Sequence, residues 1–84
     1  MVAIRWSRKA SKQLDKIQSS DKKQILSAVD SLSNFPYVGS IKALKNHKYD
    51  YRLRVGRYRV LFNNIEKIHI ISIEEVRKRD DSTY

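Results

Sequence analysis

Residues 49–60 read YDYRLRVGRYRV, and this stretch restricts the fold more than any other. Tyr49, Tyr51, Leu53 and Val55 alternate with charged residues; beyond Gly56-Arg57, Tyr58, Val60 and Phe62 share one face, with Arg59 and Leu61 between them. Alternation with a period of two marks a strand with one buried face. A glycine-first pair between two such runs fits a two-residue type II′ turn. The hairpin pairs Val55 with Tyr58 and, one step further, sets Arg54 opposite Arg59. Arg52 shares their face. Like charges directly opposed in a sheet cost a few tenths to ~1 kcal/mol. A one-residue slip would part them but would turn the aromatic and aliphatic residues to water, so burial pins the register.

No acid lies between Asp50 and Glu66 to offset this charge. Guanidinium groups crowded in this way match planar, bidentate anions, above all phosphates. The competing reading is that the stems of Arg52 and Arg54 cover apolar surface while their heads sit in water. Composition favours an anionic partner: Lys plus Arg is 18 against 9 for Asp plus Glu, a net charge of +9. Such a balance points to nucleic acid, an anionic membrane surface or an acidic protein. No apolar run approaches the ~20 residues that span a bilayer. The start, MVAIRWSRKA, lacks the apolar core of a secretory signal. The absence of cysteine leaves no disulfide framework and no thiolate metal site. These features place the chain as soluble and cytoplasmic, with no cofactor and no metal ligand set.

The 84 residues suffice for one domain, 1–84. Residues 2–6, VAIRW, read as a short strand, and Ser7 can cap a helix after it. Ala10, Leu14 and Ile17 recur at helical spacing, as do Ile25, Val29 and Leu32 in a second helix that Ser19 or Ser20 could cap. That helix ends near Asn34, because Pro36 disfavours helical geometry at Phe35. Residues 37–48 read as a loop. Strands follow at 49–55, 58–62 and 67–73, with a turn at 63–66. The order is β-α-α-β-β-β. It defines an α+β fold in which two N-terminal helices pack on one face of a small, mainly antiparallel twisted sheet. The first strand is expected beside the last. The other face is open to solvent, and the arginines belong there. Trp6 and Phe62 read as core.

A second basic cluster, Arg77, Lys78 and Arg79, follows the last expected strand, and Tyr84 ends the sequence. An aromatic beside arginines can stack on an unpaired base, or it can be an idle tail. Lys45, Lys48 and Arg57 extend the basic surface around the hairpin. His47, in KNHKYDY, is of the type that serves acid–base chemistry, or is a plain loop histidine. His69 sits among isoleucines and reads as a strand histidine. Glu74 and Glu75 are adjacent, so in a regular strand they face opposite ways and make no carboxylate pair.

Taken together, the order of elements, the hairpin YRLRVGRYRVLF, the strand HIISI and the basic tail VRKRDDSTY resemble the RelE family of toxins from type II toxin–antitoxin systems, within the RelE/ParE superfamily. The likeness covers the whole chain, and the hairpin is its most specific part. It implies a metal-independent endoribonuclease that enters the 70S ribosome, cuts mRNA and so arrests translation and growth. It also implies a DNA-binding cognate antitoxin and a toxin that is monomeric on its own. By that likeness Arg52 and Arg54 stand where the family commonly has lysines. Arg59 matches its hairpin arginine, Arg77 or Arg79 its tail arginine, and Tyr84 its base-stacking tyrosine. Arg54, Arg59, Arg77, Arg79 and Tyr84 form the expected catalytic set. Arg52, Arg57, Lys78, Lys45 and Lys48 are the expected RNA contacts. Arginine is a poor general base, so Lys78, His47, Asp80 and Asp81 are the candidates for proton transfer. Two other functions compete. The ParE branch shares the fold and inhibits DNA gyrase without that basic set, and a small basic RNA-binding module would do no chemistry.

Overall fold

The computed structural model describes residues 2–78. Strand β1, Ala3–Trp6, leads into helix α1, Arg8–Asp15. Ser7 caps α1 by accepting from the Ala10 N–H at 3.0 Å, which satisfies one of the orphan donors of the first turn. Helix α2, Ser19–Asp30, continues into a 3₁₀ turn at Ser31–Asn34 that stops before Phe35 and Pro36. Neither Ser19 nor Ser20 caps α2: the cap position is Gln18, and no side chain bonds there. Three more strands, β2 (Ile41–Ala43), β3 (Tyr51–Val55) and β4 (Tyr58–Ile65), precede the last, β5 (Ile70–Lys78).

The five strands form one sheet in the order β1-β5-β4-β3-β2. β1 lies beside β5, as expected, and runs parallel to it; the other three pairings are antiparallel. The fold is the expected α+β arrangement with one added edge strand, β2. Beyond Trp6, α1 takes over the edge of β5. Ser7 donates its backbone N–H to the Ile73 carbonyl at 2.8 Å and its hydroxyl to the Glu74 carbonyl at 3.0 Å. The Val76 N–H donates to Gln13 Oε1 at 2.7 Å. Backbone groups that a longer β1 would have paired are thus paired by helix residues.

The core lies between the helices and one face of the sheet. Ala10, Leu14, Ile25, Val29 and Leu32 meet Leu53, Val60, Phe62, Ile71, Ile73 and Val76. Ile4, Trp6, Tyr51, Val55 and Tyr58 pack around them. Tyr51 and Phe62 face each other across β3 and β4 with ring centroids 5.4 Å apart, and Phe35 meets both rings edge-on. The hairpin closes on Val55 and Tyr58, with Gly56 at φ +54° supplying the left-handed residue that the turn requires.

Several boundaries differ from the sequence reading, and β4 runs to Ile65, through most of the turn expected at 63–66. β2 falls inside the stretch expected as loop. β3 begins at Tyr51 rather than Tyr49. β5 begins at Ile70, because residues 66–68 form a 3₁₀ turn ended by His69 at φ +54°. His69 is therefore an exposed turn residue, not a strand residue. β5 also runs on through Arg77 and Lys78, so these belong to the sheet rather than to a tail.

Candidate nucleic-acid interface

The sheet face away from the helices is set by the same alternation. Cross-strand register places Arg54 opposite Arg59, and Arg59 opposite Arg77. Three arginines from β3, β4 and β5 thus stand in one row, with neighbouring side chains springing from points ~5 Å apart. The next row runs Lys42, Arg52, Leu61 and Glu75. Arg77 owes its place to a β-bulge. The pairing shifts between Leu61 and Phe62, so β5 has one extra residue there. Unbroken alternation from Ile71 and Ile73 would carry residues 75 and 77 into the helix-covered core. The bulge re-aims them, and Val76 enters the core instead.

Glu74 and Glu75 accordingly do not face opposite ways. Glu74 accepts a hydrogen bond from the Ser72 hydroxyl, and Glu75 turns toward Tyr49 and Arg77. Glu75 Oε1 accepts from Arg77 Nε at 2.7 Å and lies 3.6 Å from Lys9 Nζ. Its Oε2 accepts from the Tyr49 hydroxyl at 3.0 Å. Burial by itself raises the Glu75 pKa. The hydrogen bonds from Arg77 and Tyr49, with the charges of Arg77 and Lys9, outweigh it and hold the carboxyl below its ordinary value. The Tyr49 phenol is pushed up, first by burial and then by its bond to Glu75.

Arg52 and Arg54 have no such carboxylate: neither forms an ion pair among the described residues. Arg54 is exposed, and Arg59 is half-buried at the centre of the row. Arg52 Nε is buried and has no hydrogen-bond partner among the described residues. A buried donor of a charged group without an acceptor is costly. Leu61, beside Arg52, is buried although no helix covers it.

The other expected residues lie at various distances from this row. Lys48 sits over the Tyr49 ring at 5.6 Å, at the rim of the face, and Lys45 is exposed in the same loop. Arg57 occupies the hairpin turn, away from the row. Lys78 pairs with Tyr58 and points to the opposite side, where it lines a shallow cavity with Gln13, Lys16, Ile17, Tyr58 and Val76. His47 Nδ1 accepts from the Tyr49 backbone N–H at 3.1 Å. Arg79, Tyr84, Asp80 and Asp81 lie outside the described residues. Sequence reading missed Glu75 and Tyr49 as parts of the site. The signal available was Glu75 and Arg77 two residues apart, the spacing that shares a strand face.

A sheet of this order flanked by two helices, with a basic outer face, defines a small α+β protein with the RelE fold. It superposes on the isolated E. coli RelE toxin with a TM-score of 0.81, at 16% identity over 95% of this chain and 86% of that one. The RelE–RelB complex of Pyrococcus horikoshii matches with a TM-score of 0.78, at 22% identity over 95% and 97%. The RelBE2 toxin–antitoxin complex of Mycobacterium tuberculosis matches with 0.79, at 21% identity over 93% and 98%. No curated protein matches the sequence. The family model for the ParE toxin of the type II toxin–antitoxin system, parDE, matches residues 4–82. The chain belongs to that family, within the RelE/ParE superfamily, and is the toxin of a type II toxin–antitoxin system.

Proposed function

We propose that this toxin is a ribosome-dependent mRNA endoribonuclease that acts without a metal. The observation that carries this reading is the row of Arg54, Arg59 and Arg77 across three strands, with Arg52 one step further along the same face. In the reaction, the 2′-hydroxyl of a ribonucleotide attacks its own 3′-phosphate. The P–O bond to the next nucleotide's 5′-oxygen breaks, leaving a 2′,3′-cyclic phosphate and a 5′-hydroxyl. A base takes the 2′ proton, and the leaving oxygen gains one. The arginines neutralise charge that builds on the phosphorane-like transition state and hold the nucleotide in line. In-line alignment contributes up to ~7–11 kcal/mol in well-oriented reactions. Arg59 and Arg77 are assigned to the phosphate, Arg52 and Arg54 to the flanking backbone, and Arg79 and Tyr84 remain expected partners of the same site. The ribosome and mRNA are the working partners in the cytoplasm. A DNA-binding antitoxin is the neutralising partner, a role supported by the RelE–RelB pairs among the similar structures.

The family match to ParE toxins favours gyrase inhibition as the second reading. A gyrase inhibitor has no need of a phosphate-binding arginine row. Primer extension on translated mRNA separates the two: new 5′ ends inside the ribosomal A site support the nuclease. Intact mRNA together with blocked DNA supercoiling by gyrase would replace it with the second reading.

A further inference from the structure

We propose that Glu75 is a positioning residue. Braced by Tyr49, it grips Arg77 at Nε and so presents the two terminal nitrogens of that guanidinium, from the arginine row, to RNA phosphate. This inference rests on the nuclease reading above.

Three observations meet here. The Glu75 side chain is only 6% exposed, whereas that of Arg77 is 61% exposed. The carboxylate is therefore shut off from a substrate, while the guanidinium it holds is open to one. A buried carboxylate is tolerated where donors surround it, and here both oxygens are engaged: Oε1 by Arg77 with Lys9 nearby, and Oε2 by Tyr49. A group so engaged, with its pKa lowered, is a poor proton acceptor for a 2′-hydroxyl. The contact uses Arg77 Nε, the inner donor of the fork. The end-on edge, carrying both Nη atoms, is left for a bidentate phosphate contact.

Tyr49 makes the grip directional. Its hydroxyl spans from the loop before β3 to β5. That loop is itself tied down: Leu44 N–H donates to the Asp50 carbonyl at 2.9 Å, Tyr49 N–H to His47 Nδ1, and Asp50 N–H to Asn63 Oδ1 at 2.8 Å. The bulge that turns residues 75 and 77 to this face supplies both the carboxylate and the arginine it holds. An arginine on an exposed strand otherwise samples many rotamers. Here one end of its guanidinium is fixed before RNA arrives, which is the preorganisation that transition-state stabilisation requires.

The test compares the full chain with Glu75→Gln, Glu75→Ala and Tyr49→Phe. Glutamine keeps an acceptor without the charge, and alanine removes both. The first readout is the Arg77 Nε–Hε cross-peak in NMR, assigned by its loss in Arg77→Lys. It should shift in Glu75→Gln and exchange rapidly with water in Glu75→Ala. The second is cutting of ribosome-bound mRNA. Here kcat should fall ~10–100-fold in Glu75→Ala and ~3–10-fold in Glu75→Gln and Tyr49→Phe, with KM within ~3-fold, because small misplacements of a reacting group cost up to ~100-fold. Full cutting by Glu75→Ala, or an unshifted Arg77 cross-peak in that variant, would overturn the proposal. If the Glu75 variants fail to fold, Tyr49→Phe decides, since it leaves the ion pair in place: unchanged kcat and cross-peak there would overturn it. If the native protein cuts no mRNA, the nuclease reading falls separately. Glu75 is then judged by the cross-peak and by affinity for a 2′-O-methyl trinucleotide. A loss of ~10-fold in Glu75→Ala supports the grip, and equal affinity refutes it.

Discussion

Strands β3, β4 and β5 present Leu53, Val60 and Val76 to one side and Arg54, Arg59 and Arg77 to the other. The apolar side meets α1 and α2 and is dry. The basic side has no helix over it, yet it holds Leu61, Ser72 and Glu75 almost as deeply buried. The two sides divide the labour of one alternating pattern. Burial on the first fixes the register, and a fixed register lines up the charges on the second, where repulsion alone would scatter them. The basic side therefore keeps its geometry because of what lies beneath it.

Separating the two sides by mutation is the sharpest way to break this comparison. Phe62→Ala empties a fully buried site and should cost about 3–5 kcal/mol. The whole stability expected at this length is only about 4–12 kcal/mol. Urea denaturation should show the loss, and toxicity should fall with it. Arg59→Ala, on the other side of the same strand, should lower mRNA cutting by about 10²–10³-fold while moving the urea midpoint little. A variant that cut normally, or one that unfolded, would erase the distinction between the sides. Ser7→Ala removes both the cap of α1 and the bond to the Glu74 carbonyl, so it should cost about 0.5–2 kcal/mol with cutting intact. The smallest effect concerns acid. The folded pKa of Glu75 is depressed, so its contribution is complete above the ordinary value of 4.5 and is lost as pH falls through the lower, folded value. Urea stability should drop as pH falls below the ordinary value of 4.5, and less so in Glu75→Gln. An identical drop in that variant would assign the acid sensitivity to other carboxylates.

How much of this could be read from the sequence depends on the physics of each part. The hairpin register, the closing pair Val55–Tyr58 and the opposition of Arg54 and Arg59 were legible, because alternation and a glycine-first turn fix them locally. The seat of β1 beside β5 came from the order of elements; its parallel direction was not read. β2 was not legible: three residues, Ile41–Ala43, give too short a pattern, and their pairing with β3 is a tertiary matter. The start of β5 was misread because KIHIISI looks uniformly apolar, while His69 in the left-handed region ends a turn there. The bulge was invisible to a period-two reading, which assumes no extra residue. Arg77 was expected beside Arg54 and Arg59, and the register places it there; Glu75 was not, and with it the carboxylate that holds one arginine of the row was missed. Tyr49 and Glu75 lie 26 positions apart, and no local pattern links them.

The central claim is that the arginine row grips a ribonucleotide backbone, and the salt dependence of binding to a short 2′-O-methyl RNA tests it most directly. Each phosphate neutralised on a single strand adds about −0.7 to the slope of log affinity against log salt. The row predicts a slope near −2 for the native protein, with Arg59→Ala flatter by about 0.7. Equal slopes for the two proteins, or a native slope near zero, would contradict it.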